Sequence, residues 1–195
     1  MGCGPQRVGS CHPCAKIYAG RGRGEDAENI LKQALMRDPE DKSAHHMLAM
    51  HYLRQVSFDA EAVEQHLRSS FSVGDHNFEE RFVLAEFFYY RGKMQQASEM
   101  FDMIDEKAPE PFRKAAPRRR SVIGNMLSRH SGTIEGMKPR FFFIRSPAYP
   151  KNIFAHNSTV EPEVMSELSF GREVNFEVRF NRAGPVAVEI NLGRM

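Results

Sequence analysis

The sequence predicts a two-part chain, α-helical first and β second: a superhelix of repeated helix pairs followed by a five-stranded antiparallel barrel. Two observations predict it: similar residues recur at an offset of 70 across the first half, and hydrophobic spacing switches to period two beyond Gly132. Charge is also segregated along the chain, which suggests separate parts with separate partners and by itself says nothing about fold. Residues 1–106 carry 12 Lys/Arg against 17 Asp/Glu, whereas residues 107–131 carry 7 basic residues and only Glu110, and residues 132–195 carry 8 against 7. The 195 residues suffice for one ordinary domain or two small ones. With 41% apolar and 27% charged residues the composition is that of a folded globular chain.

Taking the helical half in order, Pro39 and Pro109 lie 70 residues apart, which is two units of about 35. Counting back from Pro109 gives Leu84-Ala85, Phe88, Gly92, Ala97, Phe101 and Ile104. The same offsets from Pro39 give Cys14-Ala15, Tyr18, Gly22, Ala27, Leu31 and Ala34. A less regular middle unit offers Leu48-Ala49, Tyr52, Ala62, His66 and Ser69, so three helix pairs are expected. Large residues alternating with small ones at helical intervals let two helices approach closely and stack on the next pair. The pattern resembles the tetratricopeptide repeat over roughly residues 8–112. That resemblance implies a right-handed superhelix whose concave groove holds a peptide or partner protein.

Other residues in this half have plainer readings. Cys11 and Cys14 have the spacing of a zinc ligand pair, but no second pair exists and Cys14 falls on a repeat core position, so no metal and no cofactor is expected. The helical histidines, the Phe87–Tyr90 ring cluster and the Met94, Met100, Met103 set read as packing or solvent-facing residues.

Residues 113–131 read as a basic linker with a short helix over Ser121–Arg129. Pro109, Pro111 and Pro117 discourage a continuing helix just before and within it. Arg118, Arg119 and Arg120 suit phosphate contacts.

In residues 132–195 the expected strands are Gly132–Gly136, Arg140–Arg145, Lys151–His156, Glu173–Phe180 and Val186–Leu192. Alternation puts Phe141 and Phe143 on one side of their strand, and Phe154 and His156 on one side of the next. If these strands pair antiparallel, one face shows four flat rings beside Lys138, Arg140 and Lys151. Rings beside cations form a platform for unpaired bases, since every base offers a π-face.

Arg140-Phe141-Phe142-Phe143-Ile144 resembles the first ribonucleoprotein motif of the cold-shock domain, an oligonucleotide-binding (OB) barrel. Ile153-Phe154-Ala155-His156 followed by Ser158 resembles its second. Leu168, Gly171, Val174–Val178 and Gly184-Pro185-Val186-Ala187 fall where that family has its last two strands, so the resemblance covers residues 132–192. It implies that Phe141, Phe143, Phe154 and His156 stack nucleobases. The chain departs from the family in lacking the aromatic pair of the first strand and in carrying Phe142 where the family has glycine. Phe142 must then turn inward, with Ala155 supplying the room.

No phosphate-binding glycine loop, nucleophile elbow or histidine–carboxylate pair at a motif spacing occurs, so no catalysis is expected. No run approaches the roughly 18 to 20 apolar residues of a membrane span, which with the few clustered cysteines points to a cytoplasmic protein. The expected function is a non-catalytic adaptor: barrel and basic linker hold single-stranded nucleic acid, RNA ahead of DNA, while the repeats recruit a protein. The alternative is a pure protein-interaction module, part of a larger protein, whose barrel binds no nucleic acid.

Overall fold

The computed structural model describes residues 22–115 and 129–193, together with Ala15, Tyr18, Gly20, Ile123 and Leu127. Arg118, Arg119, Arg120, Cys11, Cys14 and most of the expected Ser121–Arg129 helix lie outside the described residues. Among the described residues, no helix is long and apolar enough to cross a membrane. The chain divides into two compact units, Met1–Glu80 and Arg81–Met195.

In the first unit, the helical residues Ala15, Tyr18 and Gly20 precede α1 (Gly24–Arg37), α2 (Lys42–Tyr52) and α3 (Ala60–Ser69). The helix starts are chemically marked. The Asp41 carboxylate accepts from the Ala44 N–H at 3.0 Å, and that of Asp59 from the Glu61 N–H at 2.9 Å, each satisfying a donor that the first turn leaves free. Ala27, Leu31 and Ala34, at helical spacing on α1, meet Ala15, Ala44 and Leu48 in one buried cluster.

The second unit begins within α4 (Phe78–Tyr90) and continues through α5 (Met94–Lys107) and a short α6 (Glu110–Ala115). Residues Leu84 to Tyr89 are all buried, so this stretch of α4 is covered on all sides. Helix α5 does not continue past Lys107, and the separate short helix at Glu110–Ala115 is one the sequence reading did not include. Pro111 occupies the first turn, where a missing N–H costs nothing, and Phe112 is buried edge-on to Phe82 with ring centroids 6.1 Å apart.

The offset of 70 reappears in backbone geometry. Gly22 and Gly92 have φ +74° and +72°, and one residue further the Arg23 and Lys93 N–H groups donate to the Tyr18 and Phe88 carbonyls at 3.0 and 2.9 Å. Both turns place a left-handed glycine before a residue whose N–H closes a carbonyl of the preceding helical residues, Tyr18 in one and Phe88 in the other.

The strands are β1 (His130–Met137), β2 (Phe141–Arg145), β3 (Ile153–His156), β4 (Glu173–Asn181) and β5 (Gly184–Leu192). They close into a barrel in the order β1-β2-β3-β5-β4. The expected all-antiparallel barrel is corrected: β3 and β5 pair parallel, with Phe154 opposite Val186. Parity requires this. In a closed ring of strands whose neighbours all run in opposite directions the number of strands must be even, so a ring of five holds at least one parallel pair. The β3–β4 connection carries a 3-10 turn (Asn157–Thr159) and α7 (Pro162–Glu167), which the strand pattern did not reveal.

Inside the barrel, Ile134, Phe142, Ile144, Ile153, Ala155 and Phe176 are fully buried. Gly132 lets β1 approach β2 closely, because a Cβ there would lie 2.5 Å from the Arg145 carbonyl oxygen. Phe180 ends the buried alternation of β4 and meets the helices: its ring stacks on Phe101 at 5.7 Å and takes Tyr89 edge-on at 5.2 Å. Helices α4 and α5 therefore close one end of the barrel.

Candidate nucleic-acid interface

The strand register decides which rings share the outer face. Phe141 stands opposite His156 and Phe143 opposite Phe154 across the antiparallel β2–β3 ladder, while Phe142 and Ile144 oppose Ala155 and Ile153 on the buried side. Phe141, Phe143 and Phe154 are half-buried and His156 is exposed. The three phenyl rings touch one another, with centroids 5.4 Å apart for Phe141–Phe154, 5.6 Å for Phe141–Phe143 and 6.1 Å for Phe143–Phe154. Two of these contacts are edge-to-face, the arrangement the ring quadrupole favours.

A neighbouring position on β1 borders this surface. Gly136 of β1 lies opposite Phe143, and nothing stands within 4 Å of where its side chain would be. Gly136 thus leaves an open notch beside the Phe143 ring. On the other side the row runs from Phe154 to the half-buried Val186 of β5 and on to the exposed Arg179 of β4. The parallel β3–β5 pairing sets this row, and it could not be read from alternation within single strands.

His156 is oriented by its own loop. Its Nδ1 accepts from the Ser158 N–H at 3.2 Å and lies 2.7 Å from the Ser158 hydroxyl. With Nδ1 accepting, the neutral ring carries its proton on Nε2. The loop is tied to the β1–β2 hairpin, since the Asn157 N–H donates to the Arg140 carbonyl at 3.0 Å and Asn157 Nδ2 donates to the Pro139 carbonyl at 3.2 Å.

The expected cations fall into two groups. Lys138 and Arg140 are exposed on the β1–β2 hairpin, at the Phe141–His156 end of the ring face. Lys151 precedes β3 at the opposite end, and its ammonium is ion-paired to Asp102 of α5. Arg182 of the β4–β5 turn is held likewise by Asp105, at 2.5 Å. Among the described residues no group of three His, Cys, Asp or Glu side chains is arranged to hold a metal ion.

The chain matches no protein-family model and no curated protein sequence.

Proposed function

We propose that the outer face of β2 and β3 binds single-stranded nucleic acid, RNA ahead of DNA, and that the chain is a non-catalytic adaptor whose helical half recruits a protein. The observation that carries this reading is the in-register cluster of Phe141, Phe143 and Phe154, with His156 beside it and the bare Gly136 next to Phe143. A clustered apolar ring surface on the outside of a barrel is costly to leave wet, and bases stack on such rings whatever their sequence. Lys138 and Arg140 supply the salt-dependent part. A closed five-stranded barrel is consistent with an oligonucleotide-binding fold. The matched glycine turns at Gly22 and Gly92 support a tetratricopeptide-like repeat, with a groove for a peptide or protein.

The engagement of Lys151 by Asp102 favours a second reading, in which the ring face docks a protein instead. Fluorescence anisotropy of labelled single-stranded RNA and DNA with the full chain separates the two. Micromolar binding that weakens at least about tenfold in the folded double variant Phe143→Ala/Phe154→Ala is expected, given about 1–3 kcal/mol per stacked base. No binding at low salt, or equal binding by the variant, would overturn the nucleic-acid reading.

A further inference from the structure

Asp102 and Asp105 lie three residues apart on α5 and so share one side of the helix. Both reach the barrel end that α4 and α5 close, Asp102 to Lys151 and Asp105 to Arg182. The side chains of these pairs remain between 41% and 56% exposed, so each pair is held weakly and opens readily to a competing anion. Their position relative to the rings is set by Lys151, which lies just before β3 (Ile153–His156), the strand that carries Phe154 and ends at His156. A single strand lying along β2 and β3 would meet exposed Arg140 and Lys138 at one end and a lysine already neutralised at the other.

Resting on the nucleic-acid reading above, we propose that Asp102 and Asp105 are specificity determinants which compete with phosphate for Lys151 and Arg182 and so confine the bound strand to the rings and the hairpin end. An ammonium or guanidinium already paired to a carboxylate gains little from a phosphate until that carboxylate is displaced. Neutralising the carboxylates frees two cations at the end of the ring face. It should therefore extend the path open to the backbone and add phosphate contacts.

The test compares the full-length wild type with Asp102→Asn, Asp105→Asn and the double variant, using labelled oligouridylate of about four and about ten nucleotides at several salt concentrations. Circular dichroism and thermal midpoints check that each variant is folded. Glu99→Gln on the same helix, whose carboxylate accepts from Gln95 instead of a barrel cation, is the control for net charge. The expected result is about three- to tenfold tighter binding by the double variant, larger for the longer oligomer. The slope of log affinity against log salt should steepen by about 0.7 for each phosphate gained.

Equal affinity and slope in wild type and double variant would overturn the proposal while leaving the ring-face reading intact. An equal gain from Glu99→Gln would also overturn it, by reducing the effect to net charge. Absence of binding in every protein would overturn both readings. Binding by the double variant alone, lost again when Phe143→Ala and Phe154→Ala are added, would support the proposal in its strongest form.

Discussion

Phe142 faces Ala155 directly across the β2–β3 ladder, and both side chains are fully buried. The large residue and the small one share a space that two medium side chains would fill, which lets the β2 strand carry three consecutive phenylalanines with only the middle one inside.

This pairing predicts a coupled response. Ala155→Leu should destabilise by about 1–3 kcal/mol through overpacking, and Phe142→Ala by about 3–5 kcal/mol through the cavity it leaves. The double variant should lose less than the sum, because each change relieves the other. Urea unfolding of the four proteins measures the coupling, and strict additivity would show that the two side chains do not share space.

Much of this was legible in the sequence, because inward and outward faces follow from alternation and Phe142 could point nowhere else. The five strands were also legible, to within about two residues at their ends, since β-branched and aromatic runs are punctuated by turns. What a single strand cannot report is its neighbour. The parallel β3–β5 seam, the Val186–Arg179 extension and the Asp102–Lys151 pair all depend on which element closes the barrel. The prolines discourage a continuing helix, and α5 does stop at Lys107, but that reading gave no sign of the new short helix at Glu110–Ala115, whose first turn tolerates Pro111.

Tyr89 is 1% exposed, and its hydroxyl finds no hydrogen-bond partner among the described residues. Burial pushes the phenol well above its ordinary titration range. Tyr89→Phe should therefore be neutral or stabilise by up to about 1–3 kcal/mol, since it deletes a desolvated polar group and keeps the ring contacts with Phe180. Thermal unfolding decides it, and a substantial loss of stability would reveal a buried partner.

Glu189 adopts φ +49° at an irregularity of the β4–β5 ladder, where Glu177 opposes Val188 and Asn175 opposes Asn191. Left-handed backbone is costly for a residue with a Cβ and free for glycine. Glu189→Gly should raise stability by about 0.5–1 kcal/mol, the relief of strain exceeding the added freedom of the unfolded chain. The Arg129 guanidinium would keep its contact, because it donates to the Glu189 backbone carbonyl. A lowered melting temperature would refute the strain.

His66 Nδ1 lies 2.8 Å from His45 Nδ1, and His45 Nε2 meets the Pro39 carbonyl at 2.9 Å. The carbonyl only accepts, so His45 carries its proton on Nε2 and His66 Nδ1–H donates to His45. Burial, with His45 and Lys32 nearby, holds His66 below the usual imidazole range. The folded state then binds fewer protons than the unfolded chain, whose histidines titrate near about 6.5. The contribution of the neutral ring is complete above that pH and is lost as pH falls through it toward the lower folded-state value. Urea midpoints at pH 8 and pH 5.5 should diverge more for wild type than for His66→Gln, and equal divergence would sink the assignment.

The rings of Tyr89 and Phe101 against Phe180 bear on how the β part of this chain is to be handled at the bench. A fragment cut at the linker would hold every strand yet strip Phe180 of two aromatic neighbours, baring a greasy end that invites self-association. Helices α4 and α5 behave as the stopper of the barrel, and the shortest piece worth expressing begins ahead of Phe78, where α4 starts.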